Sequence, residues 1–424
     1  MNKPTVVIVN DFAWINGGAS QVALASAVEM ARREMTVYLF ASVGPIDESL
    51  KQAGVRVTLI DQHEILSDPN RLRAARQGIW NSRAHNEFGR LLETLDPLNT
   101  IIHVHTWVKA LSPSVIKIAV ESGFPLLTTL HDYFTVCPNG GLYDYTSQRV
   151  CTKTPMSLPC LLTNCDKRSF VHKVWRSVRQ TVQMHVGNIP HGMSQFVTVS
   201  EFSERLLRPL LPSGAVLHHV ANPITASKRE RAMPAEHNNF LFVGRLDPEK
   251  GVLLLAEAAA QIGAIVRFVG DGPMRNEVPK VLPGTEFTGW LKPHELMKQF
   301  RTARALVFPS LWYETQGLTV LEAAACGLPA IVPDECAASD AVDHGVTGLV
   351  FKRGDANDLA DKMSAMSDPR AADRMGKCAF ERYWSRPSTV DLHVDRLCRV
   401  YSDLVTQNAN RNGREYIAEG QFAK

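Results

Sequence analysis

The chain has 424 residues, with 46 Lys plus Arg against 43 Asp plus Glu and a formal net charge of +3. At about 150 residues per domain this leaves room for two or three domains, and a chain of this length buries most of its apolar surface without disulfides or metals. Its composition, 45% hydrophobic and 21% charged, excludes a disordered chain, and so small a basic excess argues against a dedicated nucleic-acid binder.

The first apolar run, residues 5–9, is stopped at once by Asn10-Asp11 and is too short for a secretory signal. No stretch reaches the ~18 uninterrupted apolar residues of a membrane span. A soluble, cytoplasmic chain is expected. Further β-branched runs follow at 37–41, 57–60, 101–104, 126–130 and 196–199, separated by helical patterns such as 21–33. They are apolar on both faces, as buried parallel strands are, and the alternation predicts βαβ units in a doubly wound sheet. The first strand leads through residues 10–16 into Gly17-Gly18 and a helix start, which by itself is a plain turn or a close backbone approach to an anion. Strand 126–130 ends in His131-Asp132, a donor and an acceptor at the edge where such sheets bind ligands. His103 and His105 end the preceding strand, and His103 reads equally well as a core residue.

Four of the eight cysteines, Cys137, Cys151, Cys160 and Cys165, fall in one segment with the spacing C-x13-C-x8-C-x4-C. Two readings stand: four thiolates holding a structural zinc in an acceptor-side loop, or ordinary reduced thiols, since the CxxC signature is missing. The basic stretch 167–179 follows. Phe170, Val171, Val174, Trp175 and Val178 share one helical face and Lys173, Arg176 and Arg179 lie largely elsewhere, which suits either a helix packed on the core or one resting peripherally on an anionic membrane face.

A polar, charged stretch at 227–239 marks a linker, and a second strand series begins at 240–243, 265–269, 285–288, 305–308, 330–332 and 348–351. This divides the chain into a first domain over 1–222, a second over 223–386, a helix over 387–405 packing back toward the first domain, and a polar tail over 406–424. Strand 240–243 opens into Gly244-Arg245 and, shortly after, Lys250-Gly251. A guanidinium fork and an ammonium at one strand end suit a diphosphate, although two loop cations alone are weak evidence. Strand 305–308 leads to Glu314, Gln316 and Gly317-Leu318, where a helix start again offers free N–H groups, and to Glu322 in that helix's second turn. Two carboxylates can accept hydrogen bonds from sugar hydroxyls at the two ends of one ligand.

Gly244-Arg245-Leu246 with Lys250-Gly251, Val269-Gly270-Asp271-Gly272-Pro273, the Glu314 and Glu322 pair with Gly317-Leu318, Cys326-Gly327-Leu328-Pro329 and Gly345 to Val350 together resemble a GT-B-fold retaining glycosyltransferase of family four, the glycosyl transferases group 1. The resemblance spans nearly the whole chain and is densest in the second domain. It implies an α/β fold of two Rossmann-like doubly wound domains facing across a cleft. The implied reaction moves a sugar from a nucleotide diphosphate sugar to a hydroxyl acceptor with retention, in polysaccharide or glycoconjugate synthesis, with no cofactor required for catalysis. The acceptor would be a saccharide, a lipid-linked one or a small molecule. The resemblance assigns diphosphate neutralisation to Arg245 and Lys250, the transferred sugar's hydroxyls to Glu314, its neighbourhood to His131, the ribose to Glu322 and the distal phosphate to the N–H groups at Gly317 and Leu318. Gly17, Gly18, Gly244 and Gln316 complete the expected donor site. Gln316 replaces a residue that is often aromatic in the family, and Ala337-Ala338 with Asp340 stand where a glycine pair and a glutamate are common. Rival readings are a sugar-nucleotide epimerase of similar architecture and a non-catalytic sugar-nucleotide-binding partner.

Overall fold

The computed structural model describes residues 3–421, with side chains to residue 410. Its strands are β1 (Thr5–Phe12), β2 (Val37–Val43), β3 (Arg56–Leu59), β4 (Thr100–Val104), β5 (Leu126–Thr129), the short pair β6 (Tyr143–Asp144) and β7 (Arg149–Val150), β8 (Gln195–Thr198), β9 (Val216–His219), β10 (Phe240–Val243), β11 (Val266–Val269), β12 (Glu286–Gly289), β13 (Ala305–Val307), β14 (Ala330–Pro333) and β15 (Gly348–Phe351). The helices used below are α1 (Gly18–Arg32), α2 (Arg71–Ile79), α3 (Phe170–His185), α4 (Val252–Ile262), α5 (Leu318–Cys326) and α6 (Val390–Gln421).

Two parallel sheets result, ordered β3-β2-β1-β4-β5-β8-β9 and β12-β11-β10-β13-β14-β15. Each is covered on both faces, by Phe40, Phe88 and Ile102 on one side of the first and Ile8, Leu39 and Ile101 on the other, and likewise by separate clusters around Phe268 and Leu306 in the second. Burial on both sides explains why their strands read as unbroken apolar runs. The sequence pattern missed β9, whose Val216 and His219 are exposed, and the β6–β7 pair, whose strands are two residues each. In each sheet the order reverses beside the first strand, between β1 and β4 and between β10 and β13. Those two switch points are where open α/β sheets bind ligands.

The chain crosses between the sheets after β9 and returns before α6, and the two crossings lie together: Ile224 N–H donates to Ser388 O at 2.8 Å and His393 Nδ1 lies 2.9 Å from Ala221 O. Helix α6 then buries Val394, Leu397, Tyr401 and Leu404 against Val6, Ile8 and Ala27 of the first domain. The helix expected over 387–405 begins at Val390 and runs on through most of the expected 406–424 tail to Gln421, while 422–424 lie outside the described residues. Residues 406, 407, 409 and 410 are exposed, and a stretch with no apolar period reads by composition as tail.

Candidate functional site

The second domain's switch point is shaped by Gly251. Its φ is 70°, and a Cβ there would stand 2.0 Å from Pro309 O, so only glycine lets the segment after β10 lie against the loop after β13. That contact brings Lys250 and Glu314 together. Lys250 Nζ lies 2.5 Å from Glu314 Oε1, Ser310 Oγ donates to the same oxygen at 3.0 Å, and the Trp312 ring lies 5.0 Å from the ammonium. Glu314 is buried, and Trp312 Nε1 is buried without a hydrogen-bond partner. Arg245, half exposed beyond Gly244, is held apart from this pair, 2.5 Å from Asp247 Oδ2 and 3.8 Å from Glu249 Oε1. Lys167, which the sequence reading placed in the basic stretch 167–179 rather than in the site, joins those two buried acids from the first domain: its Nζ sits 3.1 Å from Asp247 Oδ1 and 3.3 Å from Glu249 Oε1.

Helix α5 starts at Leu318 with no side-chain cap on its first N–H groups. Gly317 before it is needed for packing, since a Cβ there would lie 2.9 Å from Ala338 Cβ. Thr319 Oγ1 is buried without a partner in the first turn. Glu322, one turn on, makes no ion pair or side-chain hydrogen bond among the described residues, and burial pushes its carboxyl up to about 7. Gln316, expected against the donor, commits its side-chain oxygen to Asn222 N–H, just after β9 at the end of the first domain, at 2.9 Å. The neighbouring Thr315 donates to His131 O at 2.9 Å, and Asp340 accepts from Phe202 N–H at 2.8 Å. The two departures from the family pattern, Gln316 and Asp340, are thus interdomain ties.

On the opposite lip, Gly17 (φ 116°) opens α1, and a Cβ on Gly18 would stand 3.7 Å from Leu318 Cδ1. The starts of α1 and α5 therefore face each other across the cleft. Asp11, at the end of β1, receives the N–H groups of Lys109, Ala110 and Leu111 at 3.1, 2.9 and 3.0 Å, which fixes the loop after β4. His131 Nε2 meets His105 Nδ1 at 2.9 Å, and burial pushes the His131 pKa down to about 3, so the ring is neutral at physiological pH. Burial raises Asp132 to about 6. His103 is a core residue, with Tyr401 OH at 2.6 Å and Thr129 Oγ1 at 2.7 Å on its two nitrogens. Tyr133, a core residue of the first domain whose buried hydroxyl has no partner, lies near Glu314 of the second.

The four-cysteine segment does not fit a zinc. Its thiols do converge: Asn139 accepts from Cys137 Sγ at 3.1 Å and donates to Cys165 Sγ at 3.3 Å. The cation among them, however, is a buried ammonium, Lys173 Nζ, 3.6 Å from Cys160 Sγ. Burial would lower its pKa, but the Cys165 and Cys160 sulfurs outweigh that and raise it. Among the described residues no group of three or more His, Cys, Asp or Glu is placed to hold a metal ion. Nor is the loop confined to the first domain, since Arg149 and Val150 line a cavity of about 840 Å³ with Pro248, Gly251 and Arg353 of the second.

Helix α3 carries its amphipathicity inside out. Lys173, Arg179, Gln180 and Gln183 are buried, whereas Phe170, Val171, Val174 and Val178 are 45%, 76%, 48% and 47% exposed. The cause is the irregular loop after His131. Gln183 donates to Phe134 O at 3.0 Å, Arg179 to Pro138 O at 3.2 Å and Arg176 to Asn139 O at 3.0 Å, serving carbonyls that no strand pairs. No helix among the described residues is long and apolar enough to cross a membrane.

Residues 237–368 match the family described as "Glycosyl transferases group 1". The second domain belongs to the group 1 glycosyltransferases. A glycogen synthase of Mycobacterium tuberculosis is 35% identical over 172 residues, which are 38% of this chain and 41% of the relative. A GDP-mannose-dependent alpha-mannosyltransferase of Mycolicibacterium smegmatis is 41% identical over 110 residues, 26% of this chain and 29% of the relative. The chain thus spans about two fifths, or less, of the length of these curated relatives. Whole-chain likeness comes from structure. Sucrose-phosphate synthase from Thermosynechococcus elongatus superposes with a TM-score of 0.69 at 20% identity over 96% of this chain and 100% of that one. Anabaena HepE, in complex with UDP and glucose, does so with 0.63 at 15% over 94% and 100%. The group 1 domain and its partner therefore have the GT-B fold, two Rossmann-like domains facing across a cleft.

Proposed function

We propose that the protein is a retaining glycosyltransferase that moves a sugar from a nucleotide diphosphate sugar to a hydroxyl acceptor, in polysaccharide or glycoconjugate synthesis. The observation that carries this reading is the Lys250–Glu314 pair at the switch point of the second sheet, beside an uncapped α5 whose start faces Gly18. The donor diphosphate lies between the two helix starts, where unpaired N–H groups and the helix dipoles favour an anion. Lys250 and Arg245 neutralise the charge that grows on the leaving diphosphate, a stabilisation built into the fold before the reaction. Glu314, released from part of its hold on Lys250, accepts hydrogen bonds from the transferred sugar, and the unpaired Glu322 accepts them from the ribose.

In the transfer step the bond from the anomeric carbon to the diphosphate oxygen breaks. The acceptor oxygen bonds that carbon from the same face, and its proton passes to the departing diphosphate. The products are the nucleoside diphosphate and a glycoside of unchanged configuration. His131, neutral by burial, presents an uncharged ring at the sugar. Chelation of metal ions is expected to leave turnover unchanged, because Lys250 and Arg245 supply the leaving group's counter-charge.

The test is a product assay. Purified protein is screened against nucleotide sugars by thermal shift, where a ligand at 100 times its Kd adds about 2.7 kcal/mol. The stabilising donor is then incubated with and without saccharide acceptors. Release of nucleoside diphosphate with formation of a retained glycosidic linkage supports the reading. Interconversion of the donor sugar without acceptor would make the protein an epimerase, and binding without turnover a sugar-nucleotide-binding partner.

A further inference from the structure

A cavity of about 340 Å³ opens in the first domain between α2, α3 and the loop after β4. Its polar lining is cationic: Arg71, Lys109, Arg168, Arg176 and Arg179 stand against a single acid, Glu64. Only Arg176 has a carboxylate, Asp166 Oδ2 at 2.9 Å, among the described residues. Arg179 is the informative one. It is 4% exposed, and its guanidinium is bonded only to Val108 O at 3.4 Å and Pro138 O at 3.2 Å, with Nε buried and unpartnered. It lies 5.0 Å from the Phe134 ring and 5.3 Å from the Trp175 ring. Asp132, Asp11 and Asp166 act on it only at a distance, and a buried cation with no contacting counter-ion is costly unless a ligand supplies one.

The remaining walls are apolar, formed by Ile65, Val108, Phe134 and Trp175, and the mouth is edged by Leu66 and Val171, which are 53% and 76% exposed. A free sugar would ask for amides, carboxylates and hydroxyls along the wall. This lining instead matches a molecule with an anionic group at one end and a hydrocarbon body at the other. Val108 also lines the small recess that holds His131 and Asp132, so the cavity adjoins the cleft where the sugar would be transferred.

We propose that this cavity binds a lipid phosphate or diphosphate, its phosphate on Arg179 and the neighbouring cations and its hydrocarbon chain leaving past Leu66 and Val171, and that it thereby holds a lipid-linked acceptor whose saccharide reaches His131 and Asp132. This inference rests on the transferase reading and adds no chemical step to it.

The test uses the full chain. Binding of farnesyl diphosphate is followed through tryptophan fluorescence, beside inorganic diphosphate and farnesol, and binding of the nucleotide-sugar donor is measured on the same samples. Farnesyl diphosphate is expected to bind at least tenfold more tightly than either control. Arg168→Glu and Arg71→Glu, at exposed positions, are each expected to weaken it about tenfold and to leave donor affinity unchanged. Arg179→Gln is expected to weaken it further, judged only if its thermal transition stays cooperative. Equal binding of inorganic diphosphate would reduce the cavity to an anion site, equal binding of farnesol to an apolar one, and either overturns the proposal. Donor binding without farnesyl diphosphate binding overturns the inference alone. Farnesyl diphosphate binding in a protein that binds no nucleotide sugar overturns the acceptor role and the transferase reading together.

Discussion

Lys250 and Glu314 hold each other inside the protein, so a substitution at either position tests stability and chemistry at once. Removing Lys250 leaves the Glu314 carboxylate with Ser310 alone, and an unpaired, mostly buried charge costs roughly 3 kcal/mol. Lys250→Ala is therefore expected to lower both the melting temperature and turnover. Lys250→Ala combined with Glu314→Gln should recover most of the lost stability and none of the activity. Arg245→Ala, at a half-exposed position, should stay within ~1 kcal/mol of the parent, with turnover down by about 10²–10³-fold if Arg245 stabilises the departing diphosphate. Near-normal transfer in all of these variants would remove the site assignment. Glu322 supplies an independent signature. Its carboxyl titrates near 7 because burial disfavours the charge, and only the ionised form accepts from both ribose hydroxyls. Donor affinity should rise about tenfold between pH 6 and 8, and Glu322→Gln should flatten that profile. The stability effect has the opposite direction. With the folded pKa raised above the unfolded value, the native state holds the proton more tightly between about 4.5 and 7, so this group makes the fold less stable as pH rises through that window. A flat affinity profile in the parent protein would show that Glu322 does not touch the nucleotide.

At the scale of elements, α3 shows why a correct helical pattern can be assigned the wrong face. Periodicity finds the helix and its two faces, but which face is buried depends on what the fold places beside it. Here the neighbour is the strandless loop 134–139, which needs donors more than hydrocarbon, so Arg179 and Gln183 turn inward and Val171 and Val174 outward. The same distinction separates what was legible from what was not. The second sheet was legible strand by strand because its faces are largely buried, and the position of Gly244, Arg245, Lys250, Glu314 and Glu322 at its switch point was legible because they follow strands. The contact of Lys167 with Asp247 and Glu249 was not, since it joins segments far apart in the chain. The zinc reading rested on spacing, which cannot show that Lys173 stands among the thiols. The exposed apolar face of α3, beside the exposed Arg168, is the surface that would rest on an anionic bilayer. Flotation with anionic vesicles should carry the parent protein, and Val171→Glu with Val174→Glu should abolish that without lowering thermal stability, because both positions are exposed. Equal flotation of parent and variant would place membrane contact elsewhere.

For the molecule as a whole, the crossings at 220–224 and 386–390 lie side by side, and α6 anchors the return of the chain in the first domain's core. What spans the cleft opposite is the charge cluster of Lys167 and Arg245 on Asp247 and Glu249. The two acids are nearly inaccessible to water and share the two cations while the cleft is empty, so either cation alone still compensates them. When a donor diphosphate draws Arg245 toward itself, Lys167 alone remains to compensate them. Without Lys167, releasing Arg245 would leave two buried carboxylates uncompensated, so the penalty falls on donor binding rather than on the resting protein. Lys167→Ala is therefore expected to weaken nucleotide-sugar binding about tenfold, near 1.4 kcal/mol, with a much smaller change in melting temperature. Adding Asp247→Asn removes one of the stranded charges and should return part of the lost affinity. The comparison is made by titration calorimetry at two salt concentrations. If Lys167→Ala binds donor as the parent does, Arg245 does not leave its acids during binding, and the diphosphate is held by Lys250 and the helix starts alone.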